Sequence, residues 1–179
     1  MDEIANRVLA LKDELVADRR FFHSHPETGW FTFFTTAVIA KRMRNLGYEV
    51  KLGREVVVPE ARLGLGSKQQ CEEAIKRART LLNADEAKFL DAMEDGLTGL
   101  VATIDTGRKG KCIAYRFDID CVDVTECGED SHRPTKEGFS SDKPGCMHAC
   151  GHDGHITMGL ALAKLIKENL NDLNGKFQF

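Results

Sequence analysis

The sequence shows no strong excess of charge of either sign. It has 25 basic and 28 acidic residues and a net charge of −3, which argues against a nucleic-acid or anionic-membrane partner. Its start, "MDEIANRVLALKDEL", is acidic and amphipathic, which reads unlike the basic head and apolar run of a secretory leader. The longest apolar stretch, "ITMGLALAKLI", is too short to span a bilayer and contains Lys164. There is no internal repeat, no low-complexity segment, no glycine-rich phosphate loop and no serine-centred nucleophile elbow. These absences point to a cytoplasmic globular protein, with 42% apolar and 30% charged residues over 179 positions, enough for a core. The six cysteines, Cys71, Cys112, Cys121, Cys127, Cys146 and Cys150, are irregularly spaced. Without a leader they are expected to be reduced thiols.

What is present is concentrated in one place. "MHACGHDGH", Met147–His155, holds three of the six histidines, a cysteine, an aspartate and two glycines. Cys150 and His152 flank a single glycine, and thiolate and imidazole are good donors to zinc and related divalent ions. Gly151 and Gly154 are expected to let the backbone turn so that neighbouring side chains converge. Asp153 stands where a helix begins, either capping it or accepting the far ring proton of a ligating histidine. His148 and His155 are open between ligand, supporting group and substrate contact. A structural zinc site using Cys146 and Cys150, or a plain capped turn, are the competing readings.

Periodicity organises the rest. Ile4, Val8, Leu11 and Leu15 predict one helix over 2–21, broken by Pro26 and Gly29 in "HSHPETGW". His23 and His25 there read as exposed histidines at a helix exit. A second helix is expected over about 32–46 with Gly47 as its stop, then a strand at "YEVKL". Residues 67–95 read as a helical insertion. "LTGLVATIDTG" and "CIAYRFDID" read as strands joined by a tight turn. Strand alternation would put Asp118 and Asp120 on one side at the strand's end. A helix over about 153–170, with Gly159 allowing close packing, leads to a strand at "KFQF". This order predicts an α/β layered fold with a mainly parallel mixed sheet.

Several segments together, "RRFFHSHPETGW", "TGLVATIDTG", "YRFDIDCVDVTE" and "CMHACGHDGHITMGLALAKLI", resemble the metal-dependent amidohydrolases of the aminoacylase and carboxypeptidase-like peptidase superfamily. The "H-A-C-G-H-D" run points to the branch with hippurate and auxin-conjugate hydrolases. "GREVV", "RLGLG", "SHRP" and "GFSS" point within it toward hydrolases of p-aminobenzoyl-glutamate. The resemblance implies a three-layer α/β/α catalytic domain, present here as its N-terminal part. It implies two divalent metal ions, zinc or manganese, with Cys150 and His152 as ligands and Asp120 in the supporting shell. It implies cleavage of the amide of p-aminobenzoyl-glutamate or a related N-acyl amino acid. Cys121 and Val122 depart mildly from the branch, which often has alanine and leucine there. The general-base glutamate, further ligands and a lid or dimerisation domain are expected after Phe179, so no catalytic residue is expected within 1–179. The full-length protein is expected to form a homo-oligomer or a hetero-oligomer with a related chain. The alternatives are a hydrolase of another N-acyl amino acid or dipeptide, and a non-catalytic metal-binding or regulatory protein with the same fold.

Overall fold

The computed structural model describes residues 3–179, apart from the side chain of Ile4. The expected helix start at Asp2 and the aim of Ile4 lie outside those residues. The first helical stretch is two helices, α1 (Glu3–Ala10) and α2 (Lys12–Ser24). The break falls at Leu11, whose amide reaches Val8 in a tight 3.1 Å turn before Leu15 resumes the ladder on Leu11. Helix α3 (Phe33–Asn45) is buried at all of its first eight residues, from Phe33 to Ala40. The carboxylate of Glu27 accepts from the Phe34 and Thr35 amides at 3.0 and 2.8 Å, satisfying donors that a helix start leaves open.

Strand β1 (Glu49–Leu52) alternates exposed and buried. The 67–95 region is helical as expected. Helix α4 (Lys68–Leu81) starts with a capping box between Ser67 and Gln70, and the short α5 (Ala84–Ala87) is capped by Asn83. Both pack on α3. Strands β2 (Leu100–Asp105) and β3 (Cys112–Ala114) follow, then a short helix α6 (Arg133–Lys136), helix α7 (His152–Glu168) and strand β4 (Lys176–Gln178).

The sheet order is β1-β2-β4-β3. It is mixed, but only β3–β4 is parallel, while β1–β2 and β2–β4 are antiparallel. The mainly parallel sheet expected is therefore not how the described strands pair. The reason lies in the turn after β2. The two arms of the expected hairpin do run in opposite directions, but β4 enters between them. Arg108 holds that entry open, its guanidinium donating to the Leu170 and Leu173 carbonyls and to Asn174. Gly175, at φ +88°, brings its backbone against Lys111, where a Cβ would lie 2.1 Å from the carbonyl oxygen.

One face of the sheet, Val50, Leu52, Ala102, Ile104 and Phe177, is buried in a core shared with α3 and α7. Tyr48 crosses this core to donate to the Ala163 carbonyl at 2.9 Å. The other face presents Glu49, Lys51 and Lys176 to solvent. Two of the three expected layers are thus formed by the described residues. Helix α2 lies along α7. Gly159 meets the ring of Phe117, which a Cβ would approach to 3.0 Å, so the expected close packing of α7 is seen. Among the described residues no helix is long and apolar enough to cross a membrane.

Candidate metal centre

From Tyr115 to Gly151 the chain is largely irregular. The sheet ladder ends where the Tyr115 amide meets Gln178, so "RFDID" is extended but unpaired. Two small bridges hold this segment. The Cys121 amide donates to Glu27 at 2.7 Å, and Val122 exchanges two hydrogen bonds with Met147. They place Asp118 and Asp120 beside the start of α7. Gly151 supplies the sharp entry into that helix at φ +84°, a conformation that costs other residues about 1–2 kcal/mol. Gly154, by contrast, is an ordinary helical residue with open space around it. Only one of the two glycines makes the turn.

His152 is the first residue of α7. Its Nδ1 lies 3.0 Å from both the carboxylate and the backbone carbonyl of Asp120. A proton on Nδ1 shared between these acceptors leaves the Nε2 lone pair free to act as a donor to a cation. Nε2 lies 3.9 Å from Asp118 Oδ2, and the same oxygen is 3.9 Å from Nδ1 of His155. The His152 and His155 rings stack with centroids 5.0 Å apart, as residues three apart on a helix can. Asp118, His152 and His155 each offer a ligand atom, all within 4.8 Å of one another. Cys150 stands next to this group rather than in it: its thiol points to the Asp120 carbonyl at 3.7 Å and is exposed. Asp120 is therefore the common neighbour of Cys150 and His152.

All six cysteines are free thiols. Cys146 is buried, with its sulfur toward Asp123 at 3.9 Å. Among the described residues the group of potential ligands that converges contains neither Cys146 nor Cys150, so a structural Cys146–Cys150 zinc site gains no support. Burial pushes the Cys121 thiol well up, with Cys146 and Cys150 adding to the effect against a small opposing pull from Lys143.

His148 is buried and neither ring nitrogen has a partner. Burial pushes its pKa down to about 4, so the ring is neutral at physiological pH. Asp153, fully buried, does accept a histidine proton, but from His23 at 2.8 Å rather than from His152. Burial pushes its carboxyl up. The His23 bond, Arg19 and the Gly154 amide outweigh this and hold it below the ordinary carboxylate range. His23 was expected at an exposed helix exit, yet it is buried. Its other nitrogen meets Glu126 at 2.9 Å. His25 is half-buried and donates to the Phe21 carbonyl at 2.7 Å. The helical spacing of His152 and His155 was visible in the sequence. Nothing local marked Glu126.

Residues 114–179 match the model of the peptidase family M20/M25/M40. Over 98% of its length the chain is 42% identical to a p-aminobenzoyl-glutamate hydrolase component of Escherichia coli strain K12. The matched segment is the one that carries Asp118, Cys150 and His152. Its fold superimposes on the aminobenzoyl-glutamate utilization protein of Klebsiella pneumoniae with a TM-score of 0.79 and 33% identity, over 99% of this chain and 38% of that one. It also matches the Bacillus subtilis YXEP protein, a dinuclear metal-binding peptidase of the M20 family, with a TM-score of 0.61 and 25% identity. That match covers 95% of this chain and 34% of the other. The chain spans about 40% of the length of the E. coli relative.

Proposed function

We propose that residues 1–179 form the metal-holding part of a metal-dependent amidohydrolase. In this reading Cys150 and His152 are metal ligands and Asp120 orients His152. The single observation that carries it is the Asp120–His152 pair. A carboxylate and a carbonyl on Nδ1 favour the tautomer that leaves Nε2 as a donor, beside a second imidazole and a carboxylate. The donor set fits a borderline-soft divalent ion such as zinc, and also manganese: thiolate from Cys150, imidazole from His152 and His155, carboxylate from Asp118. Two ions are supported by the dinuclear YXEP neighbour.

Divalent cations bound there would supply Lewis acidity, lowering the pKa of water and polarising a carbonyl. The chain's own residues prepare for this in three ways. Asp120 keeps the Nδ1 proton on His152. The αL turn at Gly151 brings Cys150 and His152 to the same carbonyl. The neutral His148 ring adds no positive charge behind the donors. Proton transfer to the leaving amine would come from a glutamate outside residues 1–179, in the remainder of the catalytic domain. Residues 67–95 would be an insertion on this domain. A lid or dimerisation domain, and assembly with a second copy or a related chain, complete the proposal.

The proposed substrate is p-aminobenzoyl-glutamate or a related N-acyl amino acid. The support is the 42% identity to a hydrolase of that name over nearly the whole chain. The test is hydrolysis by the full-length protein containing these residues, with added zinc or manganese, against p-aminobenzoyl-glutamate, hippurate and other N-acyl amino acids. Metal-dependent release of glutamate at the highest kcat/KM of the panel is expected. No metal-dependent hydrolysis of any member would sink the reading.

A further inference from the structure

The most complete polar cluster among the described residues lies behind the candidate metal centre. His23 sits at the end of α2, nearly buried, with the Phe139 ring edge-on at 5.7 Å. Its Nδ1 is 2.8 Å from Asp153 Oδ2, and its Nε2 is 2.9 Å from Glu126 Oε1. A neutral imidazole has one donor and one acceptor, and a carboxylate only accepts. Two carboxylate partners therefore require a proton on both ring nitrogens. The neighbours complete the cluster. Glu126 Oε1 also meets His132 Nε2 at 2.9 Å, and its Oε2 accepts from the Ser141 amide at 2.5 Å. Asp153 also accepts from Arg19 at 3.3 Å and from the Gly154 amide at 2.8 Å. One buried cation thus joins α2, the irregular 123–141 segment and the first turn of α7.

Asp153 directly follows His152, and successive side chains on a helix point about 100° apart. His152 is turned toward Asp118 and Asp120, and Asp153 into the buried cluster. Core packing of Ile156, Leu160 and Ala163 holds the body of α7, while the aim of its first turn depends on Asp120 on one side and His23 on the other. A roll of about 10° moves a ring about 6 Å from the axis by about 1 Å, enough to spoil a ligand. The second anchor on the next residue opposes that roll.

We propose that His23 is a positioning residue for His152: an imidazolium clamped between Asp153 and Glu126 that fixes the first turn of α7 and so the aim of the His152 ring. The proposal rests on the metal-holding role given to His152 above. It is tested on the full-length protein by zinc and manganese titration against a chromophoric chelator. His23→Gln leaves two buried carboxylates and one neutral amide, and metal affinity is expected to fall ~10–100-fold, the usual effect of losing an outer support. His23→Gln/Glu126→Gln removes the excess negative charge. It allows an amide chain from residue 126 through residue 23 to Asp153, and it should recover at least about fivefold of that loss. A residue that only filled space would show no such rescue. Binding by His23→Gln within twofold of wild type, or a double variant no better than the single, overturns the proposal.

Two measurements stand apart from the metal. In the wild type, ring nitrogen NMR should show both His23 nitrogens protonated at neutral pH; a neutral ring overturns the clamp. In metal-free protein, His23→Gln should speed amide exchange at Gly154–Thr157 more than in the rest of α7. Equal exchange overturns the positioning role. A wild type that takes up no metal refutes the function proposed above, while these two results still decide whether His23 fixes the turn.

Discussion

Glu27 gives the most quantitative prediction. Its carboxyl is 2% exposed and its acceptors face the first amides of α3. Burial raises its pKa from 4.5 to about 7, against the opposing pull of the Thr35 and Phe34 amides and of Arg77. In the unfolded chain the carboxyl loses its proton near pH 4.5; in the folded protein it keeps it until about pH 7. Between those values the folded state binds more protons than the unfolded one, so stability falls as pH rises. A shift of about 2.5 pKa units corresponds to about 3 kcal/mol, fully present below pH 4.5 and lost by pH 7. Glu27→Gln cannot titrate. It keeps one acceptor for the helix start and turns an NH₂ toward the other amide, so it should cost stability at pH 4.5. The difference in unfolding free energy between wild type and Glu27→Gln should then shift by about 3 kcal/mol in favour of the variant from pH 4.5 to 7.5. Urea unfolding at four pH values measures it, and other titrating groups cancel in the comparison. A difference that stays constant to within about 0.5 kcal/mol would show that Glu27 is ionised throughout, and that the two amides outweigh burial.

Four further outcomes are expected. Cys150→Ala in the full-length protein should lose most bound metal by elemental analysis while circular dichroism stays near wild type; full metal content would remove Cys150 from the ligand set. Asp120→Asn should weaken metal binding ~10–100-fold, with little change in unfolding midpoint, because Asp120 is partly exposed and its role is to hold the His152 Nδ1 proton. Gly175→Val should destabilise by at least about 2 kcal/mol, since its Cβ would meet Lys111 and its φ is +88°; an unchanged thermal midpoint would refute the account of how β4 enters the sheet. Thiol titration of denatured protein without reductant should count close to six, matching the free cysteines, and a count near zero would indicate disulfides.

Much of the architecture was legible locally. Helix α3 with its Gly47 stop, the strand at β1, the helical character of 67–95 and the start of α7 all follow from short-range chemistry that the structure repeats. The Cys-Gly-His spacing and the two-residue alternation of Asp118 and Asp120 were equally readable, because both depend on neighbours along the chain. Other features were not. The break at Leu11 has no helix-breaking residue to mark it. The insertion of β4 between β2 and β3 joins segments more than 60 residues apart, through Arg108 and the contact of Gly175 with Lys111. His23 looked like an exposed residue beside a proline. Its burial arises only when Glu126, from an irregular segment with no periodicity, and Asp153, 130 positions away, arrive on its two sides. The sequence alone determined which side chains could ligate a cation and where α3, α4 and α7 begin. Only tertiary structure decided which of them meet and how their protons are held, since ring tautomers and buried charges are set by partners that are near in space and far along the chain.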